Sequence, residues 1–175
     1  FIRHSRQMTS NTIIDLILGL QKEDEYSRIS YKAFPLSLQQ SIEQCVQQGC
    51  NVLISGAYLG SDMKLPAEKS FMSRILGIEH QGTYRDSSNV LYGMNTQFQF
   101  YNQMNDKHYP ATSCDVIYPT SSAFPIMTYS NRLPAAVAYQ GTYKAISMGF
   151  PLECVTTSEK RATMMRALLD YLSIK

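Results

Sequence analysis

Tryptophan is absent from this chain, as are any Cys-x-x-Cys pair and any apolar run long enough to cross a bilayer. A spanning helix needs roughly 18 consecutive apolar residues, and nothing here approaches that length, so no transmembrane segment is expected. The cysteines, Cys45, Cys50, Cys114 and Cys154, and the histidines, His4, His80 and His108, are scattered rather than clustered at ligand spacing. That pattern argues against zinc, and no metal or cofactor is expected. A basic stripe is missing too. The net charge of +2 comes from dispersed residues, with Lys22-Glu23-Asp24-Glu25 and Glu159-Lys160-Arg161 mixing signs within a few positions. Nothing in that arrangement would track a phosphate backbone, so no nucleic-acid partner is expected. Finally, Phe1-Ile2-Arg3-His4-Ser5-Arg6 offers neither an initiator methionine nor an apolar leader. A chain opening in this way is expected to be a fragment of a larger multidomain protein, with neighbouring domains as its first partners.

What remains is an ordinary globular composition: 175 residues, 44% hydrophobic and 17% charged. One domain spanning 1–175 can bury about 70% of its unfolded surface without staples. The four cysteines then read as free, buried thiols, which pack as small hydrophobes. A Cys45–Cys50 disulfide is the alternative in an oxidising compartment.

The stretch from Gly49 to Asp62 organises the rest. Val52, Leu53 and Ile54 form an apolar run next to glycines at 49 and 56, the pattern of a strand buried on both faces. Gly56-Ala57-Tyr58-Leu59-Gly60 follows, two glycines around a bulky side chain, which suits a sharp turn holding Tyr58 at the strand's carboxyl end. Upstream, the β-branched run Ile13 to Leu18 closes on Gly19 and reads as a second buried strand. The polar segment 21–31 reads as a surface loop. Pro35 and Ser37 suit a helix start, Leu38, Ile42, Cys45 and Val46 share one face, and Gly49 caps the end. Strand, helix and strand from Ile13 to Ser55 make a βαβ unit with a parallel pair.

Later elements are shorter. Pro66 begins a helix with Phe71, Ile75 and Leu76 inward and Gly77 at its end, and 81–88 is polar and turn-rich. Val90–Tyr92, Gln97–Tyr101 and Val116–Tyr118 suggest strands, with a loop from Asn102 to Ser113. Pro134–Tyr139 and Tyr143–Met148, joined by Gln140-Gly141-Thr142, form a hairpin. Thr156-x-x-Glu159 fits a capping box for a closing helix with Ala162, Met165, Leu168, Leu169 and Leu172 on its stripe.

Gly56-Ala57-Tyr58-Leu59-Gly60 and Phe150-Pro151-Leu152-Glu153 together resemble the two catalytic motifs of class I glutamine amidotransferase-like domains. In that family the elbow carries Cys and the second motif carries His and Glu. More narrowly, Leu18 to Glu23, Val52 to Asp62 and Gly149 to Glu153 are similar to a domain of large exported bacterial proteins labelled xanthan lyase-like. The resemblance implies an α/β fold, a three-layer flavodoxin-like sandwich, mostly parallel with a C-terminal antiparallel hairpin and lacking its first strand upstream of Phe1. It also implies a secreted, extracellular or periplasmic setting and a link to polysaccharide, with a glycan as a ligand.

The chemistry that the resemblance would carry is missing. Tyr58 stands in the Cys position and Pro151 in the His position, while Glu153 is retained. A phenol is only about one part in a thousand ionised at neutral pH, and a proline can neither take a proton nor return it. Loss of one triad member costs about ten-thousand-fold in rate. The expected function is therefore a pseudoenzyme, a non-catalytic scaffold or binding domain, with Tyr58 and Glu153 the residual catalytic candidates. Ser55, Gly56, Tyr58 and Asp62 are the expected binding residues. A lyase-type enzyme centred on Tyr58 is the alternative, and it requires Arg85, His80 or His108 to fold back over the turn. An active amidase is a third reading, with Cys114 or Cys154 as its thiol. Twelve tyrosines suit a sugar- or protein-binding surface, and equally an ordinary core.

Overall fold

The computed structural model describes residues 12–19, 32–103, 110–111, 113–120 and 122–173. The expected loop at 21–31, both His4 and His108, and part of the expected loop at 102–113 lie outside that set.

The chain begins with the expected strand–helix–strand unit, but its first strand is not the buried one expected: it lies at the edge of the sheet, with Ile14 and Leu18 buried and Ile17 exposed. Strand β1 (Ile13–Gly19) leads through helix α1 (Leu36–Gln47) to strand β2 (Asn51–Gly56), and the two strands pair in parallel, Ile14 opposite Val52 and Leu16 opposite Ile54. On α1, Ile42, Cys45 and Val46 are buried, and Gly49 takes the left-handed conformation just past the helix end. Strand β2 is buried from Val52 to Gly56, as a strand covered on both faces must be. Its neighbours divide between two cores accordingly: Val52 and Ile54 join α1, while Leu53 faces the opposite side with Ile146 and Met148.

Helix α2 (Pro66–Phe71) runs on into a π-helical turn, Met72–Leu76, that stops at the left-handed Gly77. Strand β3 (Ile78–Thr83) follows, then β4 (Val90–Gly93), β5 (Thr96–Gln99), β6 (Asp115–Pro119), β7 (Ala123–Tyr129), β8 (Pro134–Gln140), β9 (Lys144–Met148) and helix α3 (Ser158–Ser173). Seven strands make one sheet in the order β1-β2-β9-β8-β7-β4-β5, and β3 pairs with β6 in a separate antiparallel ribbon.

That order overturns the expected flavodoxin-like sandwich. Parallel pairing is confined to β1, β2 and β9, while the β9–β8, β8–β7, β7–β4 and β4–β5 contacts are all antiparallel. The domain is β-rich with a mostly antiparallel sheet. Two strands account for the difference. Strand β7 breaks the alternating pattern with Pro125 and two register shifts against β8, features that a strand tolerates only where ladder hydrogen bonds are interrupted. Strand β3 occupies part of the segment that reads as polar turn, because only Ile78 on it is buried.

Two smaller expectations also shift. The oxygen that caps α3 is that of Thr157, which accepts from the Lys160 amide at 3.2 Å, whereas the Thr156 amide is spent on the Gln99 carbonyl at 2.7 Å. The buried stripe of α3 is Met164, Leu168 and Leu172; Ala162 is exposed, and Met165 and Leu169 are half-buried. All four cysteines are buried thiols outside any disulfide, and burial is the main cause that raises the Cys45 and Cys50 thiols above their ordinary range.

The ribbon and the main sheet are tied together where β6 begins. The Asp115 amide donates to the Gly149 carbonyl at 2.6 Å, and the Gly149 amide donates to the Ala135 carbonyl at 2.8 Å. Tyr129, fully buried on β7 and stacked on Tyr84 at 4.1 Å between ring centroids, donates its hydroxyl to the Asp115 carbonyl at 2.8 Å. Replacing Tyr129 by Phe keeps the stack and removes that bond. A loss of ~1–2 kcal/mol in urea unfolding is expected, since a buried acceptor loses a donor; an unchanged midpoint would show that the tie contributes nothing.

Candidate functional site

The turn after β2 brings several polar groups to one end of the sheet, although not the ones that the sequence singles out. Tyr58 is half-buried, and its hydroxyl makes no hydrogen bond among the described residues. Pro151 is buried at the start of a 3-10 turn, Leu152–Cys154, on the segment that leaves β9 beside β2. Glu153 is half-buried, and its charge is felt by Asp15 on β1, whose carboxyl is raised by partial desolvation first and by Glu153 second. No hydrogen bond joins Tyr58 to Glu153. The turn and the second segment are therefore neighbours, but no nucleophile and base meet there.

The remaining expected binding residues have structural roles. Ser55 is buried within β2, and Gly56 sits so close to β1 that a Cβ would lie 2.7 Å from the Leu18 Cβ. Asp62 accepts the Ala33 amide at 2.8 Å, which pins the segment before α1 to the turn. Arg85 is exposed and lines a separate hollow of about 220 Å³ with Tyr84 and Asp86.

The group that organises the turn is Asp115, a residue without any place in the amidotransferase motifs. Its side chain is fully buried at the start of β6, and its Oδ2 accepts the Gly60 amide at 2.6 Å and the Ser61 amide at 3.1 Å. An ionised carboxylate out of water costs several kcal/mol unless hydrogen bonds and charge compensate it. His80 from β3 lies beside the other carboxylate oxygen. Its Nε2 lies 3.3 Å from Asp115 Oδ1, close enough for charge attraction when the ring is protonated, although the two atoms are not aligned as a hydrogen bond. Gly60 makes the approach feasible: a Cβ there would stand 2.7 Å from the His80 Cβ and 3.0 Å from its ring. Of the three residues required to fold back over the turn, His80 does so, and it reaches Asp115 rather than Tyr58. The sequence signal for Asp115 is a charged residue between Cys114 and the apolar pair Val116-Ile117, at the head of a buried strand.

Beside His80 a pocket of about 640 Å³ opens between the turn, α2 and β3, within the size range of small-molecule sites. Polar groups on its wall include Ser61, Lys64, Lys69, Ser73, Glu79 and His80, and Met63, Met72 and Ile78 give it an apolar floor. The α2 wall is held by Glu68, which is buried, pairs with Lys32 and accepts the Leu65 amide at 2.9 Å. Burial alone would raise the Glu68 carboxyl, but the Lys32 contact and the Leu65 and Lys64 amides outweigh it, so the carboxyl is held below its ordinary value. Among the described residues no cluster of three or more His, Cys, Asp or Glu could hold a metal ion, and no helix is long and apolar enough to cross a membrane.

No family model matches this chain, and no curated protein does either. Among solved structures, the exo-beta-1,4-mannosidase Op5Man5 from Opitutaceae bacterium strain TAV5 aligns over 98% of this chain and 36% of its own, at 12% identity and a TM-score of 0.42. The mmIFT52 N-terminal domain aligns over 81% of this chain and 73% of its own, at 14% identity and a TM-score of 0.44. The chain thus spans little more than a third of the mannosidase, and likenesses this low carry no functional argument. The expected place among class I glutamine amidotransferase-like domains, and the xanthan lyase-like label that came with it, is corrected by the mostly antiparallel sheet.

Glu68 makes the pocket wall sensitive to acid. Because its folded carboxyl is held below the unfolded value near ~4.3, its contribution is full above that value and fades as pH falls through the folded one. Glu68→Gln should lower stability at neutral pH and flatten the fall in stability below about pH 4, as followed by urea midpoints across pH. An unchanged pH profile would remove Glu68 from this role.

Proposed function

We propose that this chain is a non-catalytic binding domain whose small polar ligand enters the pocket beside His80. One observation carries the reading: the two amides at the end of β2 that could hold an external oxyanion already hold the Asp115 carboxylate. Backbone amides converging at such a turn are the usual means of binding a substrate's developing negative charge. With an internal carboxylate seated on them, the turn is built for stability, and the space open to a ligand lies on the outer side of the His80 ring.

The absence of a reacting pair supports the same reading. Among the described residues Tyr58 has no base within hydrogen-bond reach, and it does not line the pocket. A lyase centred on Tyr58 would need both. A short glycan remains the ligand class that the hydroxyls of Ser61 and Ser73 and the His80 ring suit through hydrogen bonding. Among the described residues the pocket wall carries no Phe or Tyr ring on which a sugar could stack, so a glycan would be held mainly by polar contacts.

Amide chemical-shift mapping on the isotopically labelled protein tests this directly. Titration with a panel of mono- and disaccharides and small organic acids should perturb Gly60, Ser61, Ser73 and Ile78–His80, and leave Tyr58 and Glu153 unmoved. Two results would overturn it: no perturbation of the pocket by any member, or formation from polysaccharide of an unsaturated, ultraviolet-absorbing product that Tyr58→Phe abolishes.

A further inference from the structure

The basic residues around this pocket divide into two kinds. Lys32 is spent on Glu68, and Arg74 is paired with Glu43 at 3.1 Å. Lys64 and Lys69, both exposed on the pocket wall, have no ion pair among the described residues. Facing them is one exposed carboxylate, Glu79 on β3, whose neighbour His80 turns inward to the pocket and to Asp115. The Asp115 carboxylate is buried behind the wall, with one oxygen on the Gly60 and Ser61 amides, and does not itself line the pocket. Among the described residues that line the pocket, two ammonium groups stand against one carboxylate.

We propose that the ligand of this pocket bears an oxyanion, a carboxylate or a phosphate group, received between Lys64 and Lys69. The inference rests on the binding-domain reading above and specifies its ligand class. Lysine ammonium groups at a partly enclosed site bind oxyanions as point charges, with the geometry left to neighbouring donors. The neighbouring polar groups on the wall are the Ser61 hydroxyl, the imidazole ring of His80, and the Ser73 hydroxyl, which already donates to the Ser70 carbonyl at 3.2 Å. Ser61 adds a specific cue. Its Oγ is buried and has no hydrogen-bond partner among the described residues, so a proton donor on a residue that lines the pocket is unspent.

Matched pairs differing only in charge decide the matter: glucose against glucose 6-phosphate, and galactose against galacturonate, each titrated into the full chain while the Gly60, Ser61 and His80 amides are followed. The anionic member of at least one pair should bind about tenfold more tightly, and which pair responds separates phosphate from carboxylate. Lys64→Ala and Lys69→Ala, both exposed and outside the core, should each remove most of that advantage, and added salt should erode it. Neutral and anionic members that shift the same amides equally would overturn the ligand class while keeping the pocket. A panel that moves none of these amides would overturn the pocket itself.

Discussion

A buried carboxylate with two amides bound to one oxygen is the constraint on which this domain depends. Asp115 lies out of water at the head of β6, and its charge is tolerable only because Gly60, Ser61 and His80 converge on it from the turn after β2 and from β3. Three segments distant in sequence are thereby fixed to one point. The main chain of the same residue is held by the Gly149 carbonyl and the Tyr129 hydroxyl, so β7, the end of β9 and the β3–β6 ribbon meet there as well. Removal of the carboxylate would leave two buried donors unanswered, a larger loss than the bonds alone are worth.

The same constraint divides what the turn can do from what it cannot. Turns at the carboxyl ends of parallel strands present amides to ligands, and β2 is a buried parallel strand between β1 and β9. Here those amides are satisfied internally, and the polar groups left over face the pocket on the other side of His80. That wall carries lysine, serine and histidine side chains, and neither Tyr58 nor Glu153 is part of it.

Much of the fold was legible wherever burial leaves a period in the sequence. The apolar run at Val52–Ile54, the helix face of Ile42, Cys45 and Val46, and the hairpin from Pro134 to Met148 all formed as their patterns require. What escaped was β7, whose Pro125 and irregular register hide a strand from any alternation rule, and β3, whose single buried residue leaves no period. Without those two, the parallel unit at the start of the chain set the expectation for the whole sheet. The site was less legible still. Motif-like glycines drew attention to Tyr58 and Asp62, whereas Asp115 has no local pattern beyond a charge at the head of an apolar strand. Its partners lie 54 and 55 positions away, a separation that only the folded chain makes visible.

Amide hydrogen exchange at Gly60 and Ser61 bears most directly on this account. Both lie in a turn outside the sheet ladders, where exchange is ordinarily fast, yet bonds to a fully buried carboxylate should slow it to rates near those of the core of β2. Protection of that order in the wild-type chain, lost selectively at these two amides in Asp115→Asn, is the result expected. Rapid exchange at both amides in the unmodified protein would show that the turn does not hold Asp115, and would contradict the central claim.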